Sequence, residues 1–415
     1  MTEKDPNKDA EKERKKIKTV KQMKEIMTEY YVTAKNASIN NKKVAWITSG
    51  GPVEPLIAMD VIPVYPENHG AMIGASKMGV DLCSKAEEMG YSRDLCSYAR
   101  SDIGASATNG GPIGGLPDPD FLVCCNNICG TVLKWYEIQA RNYNVPLFIL
   151  DTPFTHRTMS EESKRYVSTQ MNNYISFLEK VCEKPMEEDK LYEVAQRSLE
   201  AQKLWQKVLD TSMTKPAPMT AFDAFFHLAL IVTLRGTQQA VDYYQNLLDE
   251  MNERIEAGIG MVPNERYRLL WDNLPVWYRT KWFSEKFSSH GASLVADTYT
   301  AAWSGCFHLI DEDNFLESAA IAYSSVYLNV SIDKMVENFK NLTEKYDADG
   351  IVMHSNRSCK PYSLGQYDLS RIITKEIGVP VLIFEADMVD ERNFSEGQIE
   401  NRIDAFMETL REKSV

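Results

Sequence analysis

The chain has 415 residues, 44% of them hydrophobic and 25% charged, which is an ordinary globular composition with room for more than one core. A formal charge of −13 argues against a nucleic-acid-binding surface, which needs a basic footprint. No run of about 18 apolar residues is present, so no membrane span is expected.

Residues 1–18 are mostly charged and read as a disordered, solvated tail. They lack the apolar core of a secretory signal, so the expected location is the cytoplasm. In that setting the eight Cys are better candidates for metal ligands, catalytic thiols or inert core residues than for disulfides. An amphipathic helix is predicted over 19–38, with Val20, Met23, Ile26, Met27 and Tyr30 at helical spacing.

A strand is predicted at 44–48. The loop Ser49-Gly50-Gly51-Pro52, a short helix near 54–59 and a strand at 61–65 follow it. The next loop is predicted to be Pro66-Glu67-Asn68-His69-Gly70. Helical patterns cover 75–90 and the stretch from Asp94 onward, and 105–120 reads as a Gly/Pro loop. Gly110-Gly111-Pro112-Ile113-Gly114-Gly115 is no phosphate-binding loop, because it lacks the Lys-Ser/Thr ending and no strand leads into it.

Strands at 121–125 and 145–151 close the first half. Residues 159–262 carry long helical patterns and almost no strand signal, so they read as a helical insertion or linking region whose simplest role is to cover the sheets. The second half repeats the plan, with strands near 267–271, 292–296, 350–354 and 379–385. The expected division is a tail (1–18), an N-terminal helix with a first α/β domain (19–158), the helical region (159–262) and a second α/β domain (263–415). Strands alternating with helices imply parallel sheets, and the expected fold class is α/β with two flavodoxin-like domains related by an internal repeat.

One tetrapeptide occurs in both halves. Asn126-Asn127-Ile128-Cys129 follows the strand 121–125, and Asn356-Arg357-Ser358-Cys359 follows 350–354. Each comes shortly after a short acidic segment and an apolar run, and precedes a helix and a Val-Pro strand. Such loops lie at the carboxyl ends of parallel strands, where ligands bind in open α/β sheets. With Cys96 they give a candidate trio of thiols facing one crevice. Helix N-termini after Cys129 and Cys359 would aim N–H groups at the sulfurs. Three thiolates on a four-iron cluster leave one iron open to a substrate oxygen. A zinc site would satisfy the same count, and so would buried inert cysteines.

The runs Leu95-Cys96-Ser97-Tyr98-Ala99-Arg100, Cys125-Asn126-Asn127-Ile128-Cys129 with Lys134-Trp135-Tyr136-Glu137, His354-Ser355-Asn356-Arg357-Ser358-Cys359-Lys360-Pro361 and Tyr65-Pro66-Glu67-Asn68 resemble the 2-hydroxyacyl-CoA dehydratase and benzoyl-CoA reductase family, in order, from about residue 40 to the C-terminus. The resemblance implies a [4Fe–4S] cluster held by Cys96, Cys129 and Cys359. It implies a related second subunit, as a heterodimer or else a homodimer, and an ATP-hydrolysing iron–sulfur activator that injects one electron. It implies an acyl-CoA thioester substrate, which in the dehydratase branch becomes a ketyl radical and expels the 2-hydroxyl of an (R)-2-hydroxyacyl-CoA to give a 2-enoyl-CoA.

Ser49 and Glu67 match polar residues near substrate in that family. On their own they read as a helix cap and a solvated loop acid. Cys83, Cys125 and Cys306 could also approach the crevice, and six thiols would suit the family's double-cubane branch of ATP-dependent reductases, so the alternative activity is that of a benzoyl-CoA reductase-type or double-cubane ATP-dependent reductase subunit. Leu82, Ala86 and Met89 give Cys83 an apolar helical face, and Cys306 is the discriminating residue. Cys124 and Cys182 are expected to be inert and His354 to be a core histidine. Cys359, as the trio's one member from the second half, is expected to tie the halves together through the metal while each half keeps its own core.

Overall fold

The computed structural model describes residues 16–156 and 158–413. Eight parallel strands form two four-stranded sheets. The first holds β1 (Val44–Ile47), β2 (Ile62–Val64), β3 (Phe121–Cys125) and β4 (Leu147–Leu150) in the order β2-β1-β3-β4. The second holds β5 (Tyr267–Asp272), β6 (Ala292–Asp297), β7 (Gly350–Asn356) and β8 (Val381–Ala386) in the order β6-β5-β7-β8. Each sheet therefore reverses strand order between its first and third strands, the flavodoxin-like arrangement in which the crevice above the switch point receives ligands.

The strands are buried because both sheet faces are covered. Along β3 successive side chains part company. Leu122 and Cys124 join a cluster with Trp46, Trp135, Trp271 and Phe283, whereas Phe121, Val123 and Cys125 pack with Tyr174, Trp205 and Leu247. The second face is covered by four helices, Glu161–Cys182, Glu188–Asp210, Ala221–Thr233 and Gln238–Glu256, from the segment expected to be helical.

The first cluster spans both sheets, so the halves share one apolar core, and each sheet also has a cluster of its own, with Phe121 and Val123 in the first and Leu270, Ile351 and Met353 in the second. Polar contacts reinforce it. Ser97 N–H donates to Ser358 Oγ at 3.1 Å, and Ser358 Oγ–H donates to Ser97 Oγ at 3.1 Å. Trp277 Nε1–H donates to Tyr98 OH at 2.5 Å. Arg100, 1% exposed, bonds Asp390, 0% exposed, at 3.1 Å, and its second partner is Glu87 at 2.6 Å. Protein contacts beside Cys96 and Cys359 thus join the halves. The helix bearing Ser97 is also fixed within its own half. A Cβ on Gly104 would stand 2.0 Å from Leu82 O, so only glycine lets helices Ser97–Thr108 and Gly79–Glu88 approach this closely.

Two expectations are corrected. Residues 1–15 of the predicted tail lie outside the described residues, but Ile17 is buried, and the N–H groups of Lys18 and Thr19 donate to the Glu250 carboxylate at 2.6 and 2.9 Å. The tail therefore ends by residue 16. The predicted loop 66–70 is the start of a ten-residue helix, Pro66–Ala75, because Pro66 occupies a first-turn position that needs no N–H.

Removing the Asp390 carboxylate takes a partner from Arg100 and from Arg392, which bonds it at 2.7 Å, and leaves both guanidinium groups on Glu87. Asp390→Ala is expected to lower unfolding stability by roughly 3 kcal/mol in denaturant titration. A loss under about 1 kcal/mol would show that Glu87 alone satisfies Arg100.

Candidate functional site

The carboxyl ends of the two sheets meet around a cavity of about 150 Å³. Cys96, Cys129 and Cys359 all line it, together with Ser49 and Glu67. Its roof is the run from Tyr299 to Leu328, in the connection between β6 and β7. Trp303 Nε1–H donates to Ser49 O at 3.2 Å and Asn127 Nδ2–H to Tyr323 O at 2.6 Å, so the roof is fastened to the first half's loops after β1 and β3.

The three thiols share a local setting. Each is the N-cap residue of a helix: Ser97–Thr108, Gly130–Tyr143 and Lys360–Ser363. First-turn N–H groups reach back to each sulfur, from Tyr98 and Ala99 to Cys96, Thr131 and Val132 to Cys129, and Tyr362 to Cys359. Those orphan donors favour an anionic sulfur. Burial opposes them and dominates, raising the Cys96 thiol to about 12 and pushing Cys129 and Cys359 up as well. The helix after Cys96 was expected to start nearer Asp94, so this third N-cap was not foreseen.

Among the described residues no three His, Cys, Asp or Glu side chains converge closely enough to hold one metal ion.

Glu67 sits in the first turn of its helix, 7% exposed. Its Oε1 accepts from Ser49 N–H at 3.2 Å and its Oε2 from Tyr136 OH at 3.1 Å. Burial raises its pKa to about 7, against the lowering by these hydrogen bonds. It is not a solvated loop acid. Nor is Ser49 a helix cap, since the helix Glu54–Ala58 starts after Val53 and has no side-chain cap. Tyr136 was missed as a partner of Glu67. Its signal is its place seven residues after Cys129, two turns along the same helix face.

The other cysteines separate cleanly. Cys306 lines the cavity from the roof, with its thiol on Ser325 O at 3.4 Å and raised by burial to about 11. Cys96, Cys129 and Cys359 act on one another electrostatically, whereas burial alone accounts for Cys306. Cys83 and Cys125 do not line the cavity. Cys83 faces the neighbouring helix, 3.7 Å from Ser97 O, and Cys125 takes the β3 face turned toward the helical segment. The six-thiol crevice is therefore corrected to four. Cys124 is core, and Cys182 lies away from the cavity on the helical segment. His354 is a buried core residue whose Nδ1 pairs with Leu274 O at 2.7 Å.

Comparison with known proteins adds a family. The family described as "2-hydroxyglutaryl-CoA dehydratase, D-component" matches residues 48–410. The chain is 34% identical over 404 residues to the (R)-phenyllactyl-CoA dehydratase alpha subunit of Clostridium sporogenes, covering 97% of this chain and 98% of that one. It is 33% identical over 404 residues, with the same coverage, to the (R)-2-hydroxyisocaproyl-CoA dehydratase alpha subunit of Clostridioides difficile. It is 29% identical over 418 residues to a benzoyl-CoA reductase subunit of Thauera aromatica, covering 96% of each.

The raised Glu67 carboxyl makes stability depend on pH. The folded chain holds this proton up to about pH 7, while the unfolded chain releases it near pH 4.3. Stability contributed by this group is present below about pH 4.3 and lost as pH rises to 7. In the metal-free chain Glu67→Gln should gain on the wild type by up to about 4 kcal/mol between those limits, read by denaturant titration at each pH. A constant difference would show that Glu67 titrates normally.

Proposed function

Because the chain belongs to the 2-hydroxyglutaryl-CoA dehydratase D-component family, we propose that it is the cluster-bearing, alpha-type subunit of a 2-hydroxyacyl-CoA dehydratase, removing water from an (R)-2-hydroxyacyl-CoA to give the 2-enoyl-CoA. One observation carries the reading: three N-cap thiols drawn from both halves share a single cavity with Ser49 and a buried, proton-holding Glu67.

Cys96, Cys129 and Cys359, which line one cavity, are the residues that would hold an iron–sulfur cluster, each thiolate on its own iron. A [4Fe–4S] cluster there would supply one-electron chemistry and an iron open to a substrate oxygen. The chain's own part is positioning and proton handling. First-turn N–H groups offset the thiolate charge. Glu67, near neutrality in pKa, is matched to accept a substrate proton or pass one to the departing hydroxyl, and Ser49 N–H and Tyr136 OH hold its two oxygens in place. The roof keeps bulk water from the cavity.

The cavity is too small for a whole CoA, so only the acyl end enters it. A related second subunit completes the enzyme in this reading, as the alpha-subunit names of the relatives suggest. An ATP-hydrolysing iron–sulfur activator delivers the electron. The setting is the cytoplasm, in keeping with eight free cysteines and with no described helix long and apolar enough to cross a membrane.

The reductase alternative draws support from the benzoyl-CoA reductase relative and from Cys306 on the roof. Its double-cubane form is disfavoured by the placement of Cys83 and Cys125 in packed cores.

Purified without oxygen, the chain should carry about four irons. Cys129→Ala should lose them and Cys83→Ala should not. Glu67→Gln in the activated complex should keep its iron and lower kcat by about 10²–10⁴-fold. Full turnover by that variant would remove Glu67 from the chemistry, and a colourless zinc protein would remove the cluster.

A further inference from the structure

The geometry points to an acyl group that is uncharged and apolar, so that this chain selects neutral aliphatic or aromatic 2-hydroxyacyl thioesters and rejects dicarboxylic ones such as 2-hydroxyglutaryl. The inference rests on the dehydratase reading and narrows its substrate.

Most of the cavity wall is hydrocarbon and ring. Val132, Leu274 and Ile310 line it with Trp135, Tyr299 and Trp303. Among the described lining residues Arg235 is the one cation, and it is already committed. It is 2% exposed and lies 3.8 Å from the buried carboxylate of Glu54. Its Nη2–H donates to Gly51 O at 2.5 Å, its Nη1–H groups to Ile231 O and Val232 O at 3.3 and 3.2 Å, and its Nε–H to Tyr323 OH at 3.3 Å. Glu54 is itself saturated, accepting from Tyr323 OH at 2.8 Å and Ser198 OH at 2.5 Å. The guanidinium therefore braces the loop after β1 and carries no unbalanced charge for a ligand.

A carboxylate at the far end of an acyl chain would leave water for this wall. It would meet no free cation and would share the cavity with Glu67. A buried charge without a partner is strongly disfavoured, whereas a methyl or phenyl group on the same wall gains contact with apolar surface. Discrimination here acts by the penalty on the wrong substrate as much as by attraction to the right one.

Binding of unreactive thioesters tests this without turnover. The intact complex, prepared without oxygen, is titrated calorimetrically with 4-methylpentanoyl-CoA, 3-phenylpropanoyl-CoA, glutaryl-CoA and the monomethyl ester of glutaryl-CoA. The ester keeps the acid's carbon chain, adds one methyl group at its end and removes its charge. The neutral thioesters, the ester included, should bind at least tenfold tighter than glutaryl-CoA. Glutaryl-CoA binding as tightly as its own ester would overturn the inference and leave the dehydratase reading standing. Failure of all four to bind would overturn the dehydratase reading and this inference with it.

Discussion

The structure depends on how Ser97 meets Ser358. Each serine adjoins a thiol of the trio, Cys96 in one half and Cys359 in the other, and their reciprocal hydrogen bonds fix where two helix N-termini stand relative to each other. Two such bonds are worth only about 1 kcal/mol each. They hold because the shared apolar core, the Trp277–Tyr98 bond and the buried Arg100–Asp390 pair bring the surfaces together first. The site is thus set by packing between halves, and the thiols inherit their positions from it.

The same closure decides the chemistry of the groups inside. Burial raises the thiols and Glu67 together, yet each is also given donors that stabilise its anion: first-turn N–H groups for the sulfurs, Ser49 N–H and Tyr136 OH for the carboxylate. The balance leaves Glu67 near neutrality, where it can hold or release a proton, and leaves the three thiols protonated. Arg235 and Glu54 cancel each other beneath the same cavity while bracing the loop that carries Ser49. Charge at the site is paired at Arg235 and Glu54, whereas Glu67 has only neutral partners.

Much of this was legible in the chain. Strand periodicity and the repeated Asn-x-x-Cys loops placed both sheets and two of the three cavity thiols, because alternation along parallel strands and loops at their carboxyl ends are local properties. Cys83 and Cys125 were not resolvable in the same way. On β3 the side of the sheet taken by Cys125 depends on what covers each face, and both faces here are apolar. Glu67 looked like a loop acid because Pro66 reads equally as a turn residue and as the first residue of a helix. The contacts of Ser358, Trp303 and Arg235 join residues far apart in sequence, and no local pattern announces them.

The central claim is that Cys96, Cys129 and Cys359, brought together by the two halves, bound one iron-holding cavity beside Glu67. Anomalous diffraction at the iron edge from crystals grown without oxygen tests it most directly. The account predicts one compact iron peak, ringed by these three sulfurs and none of the other cysteines. An iron peak at Cys83 or Cys125, or no iron between the two halves, would contradict it.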